Sequence, residues 1–165
     1  MKRIVIAGGC FWGVEGYYKR LKGVLDTNVG YTNGNFENPT YEDLKHHFAT
    51  HAEAVEIYYD EKLITLKQIL NHMFRFIDPT SLNRQGGDIG IQYRTGIYYQ
   101  TEEDKKIIKQ FLDEKNILLK GRLAVEMTEE QGFYLAEDYH QDYLDHNPNG
   151  YCHVDFGLIR ADEKK

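Results

Sequence analysis

The sequence predicts an α+β fold: one domain, built as a two-layer sandwich of helices packed on a mixed sheet, with an extended C-terminal tail. Three observations predict it. Short β-branched or alternating runs intermix with segments of helical period along the chain, the pattern of packed α and β layers. No low-complexity linker, internal repeat or run of like charge divides the 165 residues, so a single domain is expected over 1–165. With 41% hydrophobic and 28% charged residues, the chain has enough apolar surface for a core and enough charge for a solvated exterior.

The elements follow in order. Residues 4–7, Ile-Val-Ile-Ala, read as a buried strand ending at Gly8-Gly9. Residues 11–21 read as a helix with Phe11, Val14, Tyr18 and Leu21 on one face and Gly23 as the stop. A strand over 24–31 precedes a loop rich in Asn, Gly and Pro, and residues 54–59 alternate like a half-buried strand. Thr65 caps a helix whose apolar face is Leu66, Ile69, Leu70, Met73, Phe74 and Ile77, closed by Asp78-Pro79. The loop over 80–91, with Gly86, Gly87 and Gly90, is long enough to suggest a functional role. A strand over 92–99, a helix from the Thr101–Asp104 cap to about residue 116, and a strand over 123–127 come next. After Gly132 the expectation is loop, one short helix over 136–145, an Asn-Pro-Asn-Gly turn, and a flexible, exposed tail over 146–165 that carries Cys152. The arrangement expected is ferredoxin-like.

Composition narrows the function. A net charge of −6 with no basic run argues against a nucleic-acid or anionic-membrane surface. No stretch approaches a membrane span. The apolar run after Met1-Lys2-Arg3 is too short for a signal peptide, so a complete, cytoplasmic, monomeric protein is expected. The two cysteines, Cys10 and Cys152, form no C-x-x-C pair, and a domain of this length needs no disulfide scaffold. His46, His47 and His51 lack the carboxylate spacing of a metal set and read as solvent-facing imidazoles. The glycine-rich stretches match neither G-x-G-x-x-G nor the Walker pattern.

One motif carries chemistry. Gly8-Gly9-Cys10-Phe11-Trp12-Gly13 places a cysteine where a buried strand turns into a helix. Free N–H groups and the partial positive charge of a helix N-terminus favour thiolate over thiol, so Cys10 is expected to be reactive. The alternative is a small cysteine that merely packs.

The motif resembles the signature of the A-type peptide methionine sulfoxide reductases, and further blocks follow in that family's order. They are Val29-Gly30-Tyr31 with Asn38-Pro39-Thr40-Tyr41-Glu42, then His51-Ala52-Glu53, then Ile77-Asp78-Pro79-Thr80. Residues 85–94, residues 136–141 and Asn147-Pro148-Asn149-Gly150-Tyr151-Cys152 complete the set. The resemblance implies a thiol-dependent reduction of methionine S-sulfoxide, free or in proteins, with no cofactor and a thioredoxin-like reductant. It makes Cys10 the nucleophile, Phe11 and Trp12 the slot for the substrate methyl, and Glu53 the proton source. Tyr41 and Tyr93 become phenol donors to the sulfoxide oxygen, and Asp88 the anchor for the substrate amine. Cys152 becomes the thiol that resolves the Cys10 sulfenic acid as a disulfide. Many members carry a glycine-rich tail with a further cysteine; this chain ends without one, which implies a two-thiol cycle. Two other classes stay open on the residues alone: a thiol hydrolase using Cys10 with a histidine such as His140, and a non-catalytic binding module with a tyrosine-rich pocket.

Overall fold

Strand alternation builds two apolar layers in the computed structural model, which describes residues 1–165. In β1 (Lys2–Gly8), Ile4 and Ile6 join a large core cluster while Val5 and Ala7 join a small one on the opposite face. Next come α1 (Phe11–Lys19), β2 (Val24–Thr32) and the one-turn α2 (Tyr41–Lys45). They are followed by β3 (Ala52–Tyr59) and α3 (Leu66–Phe76). A short hairpin, β4 (Arg84–Gln85) and β5 (Asp88–Ile89), leads to β6 (Thr95–Tyr99) and α4 (Glu102–Leu118). The chain then forms β7 (Glu126–Glu129), β8 (Phe133–Leu135) and α5 (Tyr143–His146).

Six strands form one sheet in the order β7-β6-β1-β3-β2-β8, antiparallel except for the β6/β7 pair. The mixed sheet and its helices match the expected α/β sandwich. Val55 and Ile57 of β3 face the large cluster, together with Val14, Tyr17 and Tyr18 of α1 and Ile69, Leu70 and Met73 of α3. Glu53 shares the parity of Val55, so strand alternation turns its carboxyl toward the start of α1. Register places Glu53 opposite Tyr31 and Gly8 opposite Thr95. No helix is long and apolar enough to cross a membrane.

Several expectations are corrected. The strand expected from 92 begins at Thr95, because Ile91–Tyr93 is a single 3-10 turn entered through Gly90 at φ +140°. The strand expected over 123–127 lies at Glu126–Glu129, where it gains β6 as a parallel partner. The helix expected over 136–145 divides into a 3-10 turn at Asp138–His140 and α5, because Asp142 takes a left-handed φ of +53° between them. His51 is buried and hydrogen-bonded to the Phe36 carbonyl at 2.9 Å, whereas His46 and His47 are exposed.

The tail over 146–165 is not exposed throughout. Val154 and Ile159 are buried, and Arg75 of α3 forks Glu163 at 2.7 and 2.8 Å. Lys164 bridges Leu21, just past the end of α1. Apolar side chains in the tail find the outer surface of the α1–α3 layer, a long-range fit that local sequence does not encode.

Candidate active site

Gly9 makes the turn that delivers Cys10. Its φ of +92° is open to glycine, and a Cβ there would stand 2.8 Å from His153 Nε2 and 2.9 Å from Gln85 Cβ. Cys10 then occupies the N-cap position of α1, 7% exposed. Burial is the largest influence on its thiol and pushes the pKa up; negative charge at Glu53 acts in the same direction, while the Trp12 backbone N–H opposes both. The helix N-terminus, which favours the thiolate, is thus opposed by burial. Desolvation of a buried anion outweighs the partial charge of one helix end.

Glu53 is 2% exposed and accepts the Phe11 N–H at 3.2 Å. Burial chiefly, with the negative charge of Asp88 in support, pushes its pKa up to about 8, against the pull of the Phe11 N–H. At pH 7 the carboxyl is mostly protonated, and the charge that would oppose a thiolate at Cys10 is then absent. A neutral acid beside a thiol can donate a proton to a ligand between them.

Aromatic rings build the walls. Trp12 stacks on Tyr143 with centroids 3.7 Å apart, and its Nε1–H donates to His140 Nδ1 at 3.0 Å. Phe11 packs against Tyr31 and His140. Glu137 accepts both the Tyr31 hydroxyl at 2.8 Å and the Tyr41 N–H at 3.1 Å, which fixes the start of α2. Burial raises the pKa of both Tyr41 and Tyr93, so each phenol keeps its proton as a donor.

These side chains enclose one cavity of about 180 Å³. Cys10, Phe11, Trp12, Tyr41, Glu53, Asp88 and Tyr93 all line it, although they come from five separate stretches of chain. Cys152 is the one expected site residue outside it. Its thiol is half-buried beside Gly13, where a Cβ would lie 3.0 Å from the sulfur, and both cysteines are free. The eighth lining residue, Tyr151, was not expected; its hydroxyl donates to Asp88 Oδ2 at 2.8 Å. Its place beside Cys152 was the one available signal among 13 tyrosines. His140, the base a thiol hydrolase would need, is outside the lining, and its Nδ1 is occupied by Trp12. No group of three or more His, Cys, Asp or Glu side chains is placed to hold a metal ion.

Known proteins share this arrangement of sequence and fold. The sequence model described as "Peptide methionine sulfoxide reductase" matches residues 2–165. The peptide methionine sulfoxide reductase MsrA of Clostridium acetobutylicum is 50% identical over 160 residues, covering 97% of this chain and 99% of the relative. The MsrA of Lachnoclostridium phytofermentans is 53% identical over 153 residues, covering 93% and 92%. Among solved structures, reduced Mxr1 from Saccharomyces cerevisiae superposes with a TM-score of 0.86 at 37% identity, covering 92% of this chain and 88% of that one. Mxr1 in complex with Trx2 superposes with a TM-score of 0.60 at 28% identity, covering 86% and 84%. The family's sequence model matches nearly the whole chain, half of the residues are shared with the Clostridium acetobutylicum relative, and the fold is shared with Mxr1, so the chain belongs to the peptide methionine sulfoxide reductase family.

Proposed function

We propose that this protein reduces the S epimer of methionine sulfoxide, free or within oxidised proteins, by transferring the sulfoxide oxygen to Cys10. The observation that carries the reading is a thiol and a neutral, buried carboxylic acid lining one small aromatic cavity. The substrate methyl enters the slot between Phe11 and Trp12, and Asp88 takes the amine. The Tyr41 and Tyr93 phenols donate to the oxygen, and Glu53 supplies a proton to it. Cys10 sulfur attacks the substrate sulfur: the S–O bond to methionine breaks, an S–O bond to Cys10 forms, and the thiol proton restores Glu53. The products are methionine and a Cys10 sulfenic acid. Cys152 converts that acid to a disulfide, and a thioredoxin-like dithiol reduces it. The existence of an Mxr1–Trx2 complex supports this choice of reductant.

The cycle needs electrons from an external dithiol and no bound cofactor. A working pair of free thiols fits a reducing compartment, which supports a cytoplasmic location. The strand order β6-β1-β3-β2, with α1 and α3 as crossovers, supports a ferredoxin-like core extended by β7 and β8. The test is loss of methionine S-sulfoxide with and without dithiothreitol, for wild type and Cys10→Ser. Turnover should require both Cys10 and the dithiol. Dithiol-independent turnover, or activity in Cys10→Ser, would contradict the reading.

A further inference from the structure

The segment over 152–154 seats itself in notches that flank Cys10. Cys152 Sγ and Val154 Cγ2 each lie 3.0 Å from the place a Gly13 Cβ would take. His153 Nε2 lies 2.8 Å from the corresponding place at Gly9. The same nitrogen donates to the Gly8 carbonyl at 2.8 Å, so the tail is pinned to the strand-to-helix turn that carries Cys10. Gly9 thus does more than permit a tight turn, since a Cβ there would collide with His153, and a Cβ at Gly13 would press on Cys152 and Val154.

We propose that His153 is a positioning residue for the second half-reaction, a clamp that holds Cys152 within reach of Cys10. The proposal rests on the reading that Cys152 resolves the Cys10 sulfenic acid. In that step the Cys152 thiol attacks Cys10 sulfur; the S–S bond forms, the Cys10 S–O bond breaks, and the hydroxyl leaves with the thiol proton as water. Gly13 is three residues along α1 from Cys10, and side chains at that spacing have Cβ atoms about 5–6 Å apart. Cys152 thus rests near the first turn of α1, and it must approach until the two Cβ atoms stand about 3.5–4.5 Å apart, as a disulfide needs. With His153 fixed on Gly8, that movement is a pivot about the adjacent residue. Without the clamp, the tail is still held from Val154 onward, but Cys152 lies on a segment loose on its other side, which lowers the effective concentration of the thiol.

The ring suits a clamp better than a base. Nδ1 is buried without a partner, which places the ring proton on Nε2, the nitrogen facing the Gly8 carbonyl. Burial lowers the ring's pKa, so it stays neutral, while the Gly8 carbonyl favours the protonated form too weakly to reverse this. A glutamine at the same position carries an Nε2–H that can reach the same carbonyl.

The experiment mixes enzyme with one equivalent of methionine S-sulfoxide and follows two signals: methionine released in the first turnover, and loss of the second free thiol as the disulfide forms. His153→Ala should release the methionine burst at the wild-type rate while disulfide formation slows by roughly tenfold or more. His153→Gln should recover most of the disulfide rate. A disulfide rate in His153→Ala equal to wild type, or faster, would overturn the clamp. So would equal slowing of burst and disulfide, since His153 would then shape the whole site. If wild type loses only the one thiol that becomes the Cys10 sulfenic acid, as Cys152→Ser must, the Cys10–Cys152 pairing fails, and the clamp with it.

Discussion

At the residue scale, the pKa of Glu53 sets the pH behaviour of the site. In the proposed mechanism its carboxyl acts as the acid, and burial keeps it protonated up to about pH 8. Activity should therefore fall as pH rises through about 8. Glu53→Gln should cost roughly 10²-fold or more at neutral pH, less at low pH where solvent acid supplies the proton, and the inflection near pH 8 should vanish. Stability moves with the same group. Its pKa is raised on folding, so the folded state binds the proton more tightly and stability declines as pH rises from the unfolded value toward 8. A Tm series should show Glu53→Gln gaining on wild type across that range and matching it in acid. Tyr41→Phe or Tyr93→Phe alone should cost less in kcat than the double variant, because either phenol can serve the oxygen; removal of one donor from an oxyanion site costs about 2.7–4 kcal/mol. Cys10, Glu53 and the aromatic walls were legible in the sequence through the motif blocks. The ionisation of Cys10 was not, because a helix start is local and desolvation comes from residues far along the chain. Tyr151 was hidden for the same reason, since its partner Asp88 lies 63 positions away.

At the element scale, caps and apolar period made α3 and α4 readable. Thr65 caps α3 as expected, in a reciprocal box with Gln68, whereas the box-like start expected at Thr101–Asp104 has only one of its two bonds, from the Asp104 N–H to Thr101. Elements of two to five residues carry too little period to be read, so α2, the β4–β5 hairpin and β8 appear only with their tertiary partners. The tail is the clearest such case. Its anchor on α3 is the fork between Arg75 and Glu163, which lowers the Glu163 pKa to about 2. Breaking it with Glu163→Gln should cost about 1 kcal/mol at neutral pH, a modest value because both side chains are partly exposed. A carboxylate with a depressed pKa stabilises above its unfolded value and loses that effect as pH falls through about 2. The Tm difference from wild type should accordingly shrink in acid. A constant difference at every pH would mean the anchor is packing and not charge.

At the scale of the whole molecule, the fold would separate the two steps of the proposed cycle, which share one sulfur. The sheet and α1 bury Cys10 with Glu53 in a cavity that admits a thioether-sized group, while the tail keeps Cys152 outside the lining yet against the same helix. Cys152→Ser should leave the first-turnover methionine burst intact and abolish steady turnover with thioredoxin, read by stopped-flow and coupled assays in parallel. Loss of the burst would place Cys152 in the first step. Oxygen transfer to Cys10 is tested by the intact mass of wild-type enzyme after one equivalent of resolved methionine S-sulfoxide. The expected result is a loss of two hydrogens, a Cys10–Cys152 linkage in the peptide map, one methionine per enzyme, and no change with the R epimer. Methionine released with the mass unchanged, or equal reaction of both epimers, would contradict oxygen transfer to Cys10 in this cavity.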